Sequence, residues 1–292
     1  MKNHTKWGVA ALCLAMVALA TSSAPASPVT LKDLNTTVQV DPMSPTGLTS
    51  WNVQGMDHLR EQSFWIRAGA ATAERPLGSL PVTQSTIDSN FNGVDETLIA
   101  SYTGATYTVD MNISVTGGTA VLPLSSSIGE QITISNTTNS PLAVTFFQYV
   151  DLDLVGSSTG DTLFFDPSGN TATQMDGPLA IAEVVSTTGG AAPIAYQGAF
   201  VPTILNSLMD GGLTNLNNTP AGGVSIGGGS NNVELAFQWD FNLPANGSGQ
   251  ISKLKTLSIA IPLPVAVWPG LALLGMMAAV RVRRWRASSG TR

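Results

Sequence analysis

The sequence predicts an all-β fold, an antiparallel β-sandwich of jelly-roll-like form, flanked by an N-terminal signal peptide and a C-terminal transmembrane helix. Three observations predict it. Short runs of Val, Ile, Thr, Phe and Tyr alternate with clusters of Gly, Asn, Ser and Pro, which is the composition of pleated strands and the turns between them. No long segment repeats its apolar residues with a helical period. Charged residues make up only 11% of the 292, a mixture that suits an exported β protein better than a cytosolic enzyme.

The N-terminus divides into three parts. Lys2 and Lys6 form a charged start, Trp7 to Ala20 is apolar without acids, and small residues follow. This is the pattern of a secretory signal peptide over residues 1–26, and Ala24-Pro25-Ala26 supplies the small-x-small site for signal peptidase. Ser27 is then the first mature residue, with a cut after Ala20 as the alternative. Cys13 is the one cysteine and lies inside this apolar run, so the mature chain contains neither disulfide nor thiolate.

Residues 27–260 read as one β-sandwich domain. Trp51 to Gly69 is the segment densest in large side chains, and Phe64 and Trp65 belong in its core; a sugar-stacking role for Trp51 or Trp65 is the sharper alternative. Tyr102 to Val115 alternates around a glycine and predicts a hairpin. Ala120 to Leu124 and Gln131 to Ser135 are short strand-like runs, and Ala143 to Leu154 is the strongest. Leu163 to Phe165, Leu179 to Val185, Val233 to Phe241 and Leu254 to Ile261 continue the series. Ile204 to Met209 suits one or two helical turns, and the low-complexity stretch Gly211 to Asn232 reads as a mobile loop.

Charge excludes some functions. Between residues 27 and 264 six cations, Lys32, Arg60, Arg67, Arg75, Lys253 and Lys255, face all 19 acids, a net −13. Such a domain repels nucleic acid and anionic membranes and suits divalent cations or neutral glycans. His58 is the only histidine in this region, so neither a Cys-His pair nor a histidine-rich zinc site can form, and no G-x-S-x-G elbow accompanies it. Carboxylates are plentiful, but no motif singles out a glycosidase pair.

The best site candidate is Asp88, Asn90, Asn92, Asp95 and Glu96, which matches the first half of a D-x-N-x-N-G calcium loop with Gly93 at the sharp turn. Ile99 stands where the closing Glu is wanted, so Asp95 and Glu96 would have to complete the shell for Ca2+; the competing reading is an Asn-Gly turn. A second acidic stretch holds Asp151, Asp153, Asp161 and Asp166. Asp151 and Asp153 are expected on one strand face, most simply exposed to water. Asn-x-Ser/Thr at Asn35, Asn112, Asn136, Asn217 and Asn246 reads as ordinary turn and strand composition.

The tail, residues 261–292, is the most informative segment. Pro262-Leu263-Pro264 makes a rigid break, and Val265 to Val280 carries no charge and predicts a transmembrane helix over 265–280. Arg281, Arg283, Arg284 and Arg286 then follow, with Trp268 and Trp285 as flanking aromatics. Sixteen helical residues span about 24 Å, slightly less than a hydrocarbon core of roughly 30 Å, a mismatch the flanking Trp and Arg can absorb. The arginines mark the cytoplasmic side, which puts the acidic body outside.

This tail resembles the PEP-CTERM sorting signal of Gram-negative bacteria, in the PLP variant of its motif, with Leu263 replacing the usual Glu. The resemblance covers about the last 30 residues. It implies that Pro262, Leu263 and Pro264 are the recognition and cleavage site of an exosortase-type membrane protease, and that the protein crosses and is transiently held in the inner membrane. Trp51, Asp57-His58-Leu59 and Phe64-Trp65-x-Arg67 are similar to elements near the start of some exported proteins of that group, without implying an activity. The expected function is a non-enzymatic surface or matrix protein linked, through the family, to exopolysaccharide or biofilm. The alternative is a carbohydrate-binding module or glycan-active enzyme on a β-sandwich.

Overall fold

The structure is a computed structural model that describes residues 28–119, 124–185 and 190–259. The signal peptide with Ala24 and Ala26, most of the Ala120 to Leu124 run, and the tail with Pro262, Leu263, Pro264 and the four arginines lie outside the described residues. Among the described residues no helix is long and apolar enough to cross a membrane.

The strands in chain order are β1 (Val29–Asp33), β2 (Thr36–Asp41), β3 (Gly47–Val53), β4 (Met56–Asp57), β5 (Glu61–Ala68) and β6 (Arg75–Pro76). They continue with β7 (Val82–Ile87), β8 (Thr97–Thr103), β9 (Tyr107–Gly117), β10 (Ser126–Asn136), β11 (Leu142–Asp151) and β12 (Thr162–Phe165). The last six are β13 (Thr171–Asp176), β14 (Leu179–Val185), β15 (Ala195–Phe200), β16 (Ser225–Gly227), β17 (Val233–Leu243) and β18 (Ser248–Ile259), with one helix, α1 (Thr203–Met209), between β15 and β16. They form two sheets. The first has the order β1-β2-β3-β5-β11-β17-β15, with β4 on β3 and β6 on β5; the second runs β16-β12-β13-β14-β18-β10-β9-β8-β7. Pairing is antiparallel except for the short contact of Gly47 and Leu48 with Gln62 and an isolated parallel bridge between Gln197 and Thr219. Gly47 makes that contact possible: its backbone is left-handed (φ 63°), and a Cβ there would stand 2.6 Å from the Gln62 carbonyl oxygen. The sandwich prediction holds; with nine strands in each sheet, it is wider than an eight-stranded jelly roll.

Alternation makes the core. In β9 Tyr107, Val109, Met111, Ile113 and Val115 are buried while the residues between them face outward, and β10 sends Ile128, Ile132 and Ile134 inward. The central strands β11 and β17 are buried on both faces. The inner face of the first sheet meets the second sheet through Phe146, Phe237 and Trp239. Its outer face is covered by α1 and the chain after it, where Phe147, Tyr149 and Ala236 pack on Ile204, Leu208 and Leu216. This double burial explains why Ala143 to Leu154 reads as a near-continuous apolar run.

Two expectations change and one alternative falls. Residues 211–232 are not a free loop: Leu216 N–H donates to Gln238 Oε1 (2.9 Å), Thr214 N–H donates to Glu74 Oε1 (2.9 Å), and β16 adds to the second sheet. A polar, glycine-rich stretch is held here largely by hydrogen bonds, with only Leu216 and Ile226 packing on the apolar clusters, which is why composition hid it. Trp51 and Trp65 are buried, at 0% and 5% exposure, so neither is a sugar platform. Asp151 ends β11, and Asp153 falls beyond it in the turn leading to a short 3-10 segment at Leu154–Gly156, so the two do not share a strand face.

Candidate functional site

At one end of the sandwich β3, β4, the β4–β5 connection and the 3-10 segment surround a cleft of about 190 Å³ lined by Thr49, Asp57, Leu59, Arg60, Asp153 and Gly156. Asp57 Oδ1 accepts the backbone N–H groups of Trp51 (2.9 Å) and Leu59 (3.3 Å), which fixes the carboxylate at the cleft wall. The opposite wall is held by an unusual turn. Val155 has a left-handed backbone (φ 60°) followed by Gly156 (φ 69°), a conformation that β-branched residues rarely adopt. Val155 N–H donates to His58 Nδ1 at 3.3 Å. His58 is 1% exposed, and burial lowers its pKa despite Asp57 beside it, so it is a neutral scaffold residue. That strain is stored beside the cleft, where local conformation matters most.

Further carboxyl groups, Asp151 and Asp161, lie close enough to the cleft-lining Asp153 to feel its charge. Burial raises the Asp151 carboxyl to about 7, reinforced by Asp153, Glu234 and Glu61 and opposed by Arg60. Burial also raises Asp153, with Arg60 opposing and Asp57 adding to it. Asp161, fully buried, is raised by desolvation to about 6 although Gln174 Nε2 donates to its Oδ2 at 2.6 Å. These acids are therefore not a solvated face, as the sequence suggested. Asp166 stands apart: hydrogen bonds from Ser168 Oγ and the Thr171 N–H outweigh its desolvation and lower it, so it serves the β12–β13 turn.

The sequence-predicted loop links β7 to β8 and closes on itself. Asp88 accepts N–H from Asn92 (3.1 Å) and Gly93 (2.8 Å), Asn90 Oδ1 accepts from Asn92 N–H (3.0 Å), and Asn92 Oδ1 accepts from Val94 N–H (2.9 Å). Asp95 Oδ2 takes the Thr86 hydroxyl (2.5 Å), and Glu96 Oε2 takes the Ser89 N–H and hydroxyl. The five residues are brought near one another, but most of the oxygens named here already serve backbone donors. Among the described residues no group of three or more His, Cys, Asp or Glu side chains converges as metal ligands. The cleft itself was missed. Its residues come from three separate segments and share no spacing; the one available signal was Asp57-His58-Leu59-Arg60, two opposite charges flanking the lone histidine.

Chemically, the cleft pairs a forked cationic donor, Arg60, with carboxylate acceptors from Asp57 and Asp153. Such a set engages vicinal hydroxyl groups, donating to one and accepting from the next.

No protein-family model matches the chain, and no curated protein matches it in sequence. Solved structures do match in fold. A bacterial glucoamylase complexed with acarbose superposes with a TM-score of 0.52 at 8% identity over 81% of this chain and 34% of that one. A putative aldose 1-epimerase from Escherichia coli K12 gives 0.47 at 9% identity, over 80% of this chain and 99% of that one. A galactose mutarotase-like protein from Lactobacillus casei gives 0.46 at 9% identity, over 79% and 100%. The fold is thus a β-sandwich of the kind found in the glucoamylase. The chain spans about a third of that enzyme's length.

Proposed function

We propose that this is an exported envelope protein whose β-sandwich binds a neutral glycan in the cleft of Asp57, Arg60 and Asp153. The observation that carries the reading is the placement of one guanidinium and two carboxylates in a single cleft, on a fold of the glucoamylase kind. The acidic exterior supports a neutral ligand, because Lys253 and Lys255 are buried in the core and leave few cations outside. Export by signal peptidase cleavage after Ala26, transit through the inner membrane, and sorting by an exosortase-type protease at Pro262-Leu263-Pro264 belong to the same proposal. Together they put the domain at the cell surface or outside it, where exopolysaccharide is the available glycan.

A second reading, a glycan-active enzyme, is favoured by one observation: burial raises the Asp151 carboxyl to about 7 and shifts Asp153 beside it upward as well, the direction a general acid needs. One set of measurements separates the two. Neutral oligosaccharides should bind the mature protein by calorimetry, and Arg60→Ala should remove that binding without unfolding the protein. Binding without release of reducing ends supports the module; release that Asp153→Asn abolishes supports the enzyme. Failure to bind any neutral glycan, or full binding by Arg60→Ala, would overturn both.

A further inference from the structure

The end of the sandwich from which the described chain leaves, at Ile259, also presents large apolar side chains that nothing inside the fold uses. Hydrogen bonds tie its turns together. Gln54 N–H donates to the Asn35 carbonyl (3.0 Å), Lys32 N–H to the Asp95 carbonyl (2.8 Å), Asn90 Nδ2 to Asp33 Oδ1 (3.4 Å), and Gly117 N–H to Asp33 Oδ2 (2.7 Å). Gly117 pairs with Ser126, and Ser126 pairs with Leu257, two residues before Ile259. The β1–β2 turn, the β3–β4 turn, the β7–β8 loop and the chain exit therefore share one end.

On that end Phe91 is 91% exposed, Leu34 62%, Met56 40%, Ile259 38% and Val94 37%. Phe91 and Leu34 stand on left-handed backbone, φ 60° and 47°, positions that usually hold Gly or Asn. Turn geometry thus disfavours the two most exposed apolar side chains of this end, and their own exposure shows that core packing does not call for them. The turns at the far end of the second sheet, residues 104–106, 137–140 and 245–247, contain only Gly, Ala, Thr, Asn and Ser.

The chain outside the described residues says what meets this end. Beyond Ile259 the sequence reaches the uncharged run Val265 to Val280 in six residue steps, a reach of about 20 Å at full extension. A bilayer's headgroup layer adds roughly 5–7 Å on each side of its core. A domain tethered this closely cannot stand clear of the surface, and the end nearest the tether carries its most exposed aromatic side chain.

We propose that this end, led by Phe91 and Leu34, docks on the neutral headgroup interface of the bilayer that the tail enters, so that the sandwich lies against the membrane until the tail is removed. The inference rests on the reading of residues 265–280 as a membrane segment. The surface must be zwitterionic rather than anionic, because Asp88 and Asp95 flank Phe91 in its loop and Asp33 accepts a hydrogen bond from Asn90 beside it. Asp88 turns its oxygens into its own loop, leaving the phenyl ring as the leading group.

The test uses the full chain, expressed from its own leader with Cys13→Ser and incorporated into phosphatidylcholine nanodiscs. A nitroxide is placed at Val94→Cys or, as the far-end control, at Asn139→Cys. Docking predicts several-fold greater accessibility to oxygen over a water-soluble nickel chelate at position 94 than at 139. It also predicts loss of that difference in a Leu34→Ser/Phe91→Ser background whose melting temperature is unchanged. Equal accessibility at 94 and 139 in protein that co-migrates with nanodiscs overturns docking alone. Protein that fails to co-migrate overturns the tail reading and docking with it. Spin–spin broadening at position 94 that grows with protein concentration would assign the surface to a second copy instead.

Discussion

Lys255 Nζ lies 3.3 Å from Glu183 Oε1 in the middle of the sandwich, with side chains only 0% and 2% exposed. The same ammonium stands 3.2 Å from Glu130 Oε1, and Lys253 bridges both glutamates while its Nζ sits 5.0 Å from the Phe64 ring centre. Gln62 and Gln148 donate to Glu130 and Glu183 at 2.6 and 2.7 Å. The charges face each other because β18 pairs Lys253 with Glu130 and Lys255 with Glu183. Removing one partner strands a buried charge, so Lys255→Met should cost about 3–5 kcal/mol in urea unfolding. Replacing Glu130, Glu183, Lys253 and Lys255 together by Leu and Met should recover most of that loss.

Tyr149 Oη donates to Glu234 Oε2 at 2.9 Å, and Glu234 also accepts the N–H of Ile204 at the start of α1. Pro202 precedes the helix and offers no side-chain cap, so a carboxylate from β17 does that work. Tyr149→Phe should lower stability by about 2 kcal/mol. Hydrogen exchange should quicken first at the α1 N-terminus, since the capping carboxylate loses the group that aims it.

The buried acids set an unusual pH profile. Asp151 rises from its ordinary 3.8 to about 7 and Asp161 to about 6, so the folded state holds more protons than the unfolded one between pH 4 and 7. Stability therefore falls as pH climbs through that window. Glu130 behaves oppositely: burial opposes ionisation, but Lys253 and Lys255 pull it down to about 2, so its contribution is lost as pH falls below about 4.5. His58, lowered by burial, also destabilises the acid side. The melting temperature should peak between about pH 4.5 and 6. Asp151→Asn should raise it at pH 8 by roughly 4–8 °C, equivalent to about 2 kcal/mol, with little change at pH 4.5.

Calcium titration tests the β7–β8 loop. A cation held by Asp88, Asn90 and Asn92 would have to share side-chain oxygens that already accept backbone N–H groups. The geometry favours an unchanged melting temperature in millimolar calcium and in chelator. A rise with calcium that Asp88→Ala abolishes would mark the loop as a cation site.

Strand content and the main hairpins were legible because alternation is a local property. Tyr102 to Val115 bends at Gly104 into β8 and β9, and the run from Ala143 is β11. β18 shows the limit. In Ile251-Ser-Lys253-Leu254-Lys255-Thr-Leu257, hydrophobicity alone would put Leu254 inside and the lysines outside, yet Leu254 is 40% exposed and both lysines are buried. Period 2 from Ile251 and Leu257 was the signal that could have found it.

By itself the sequence determined the strand-and-turn composition, the acidic excess and the apolar, arginine-ended tail, since each depends on residues near one another in the chain. Only tertiary structure decided that Asp57, Arg60 and Asp153 share a cleft and that Asp151 becomes a weak acid. It alone decided, too, that two lysines belong to the core. Burial and charge pairing depend on which strands become neighbours, and in a sandwich those neighbours are brought together from more than a hundred residues away, as Lys255 is to Glu130.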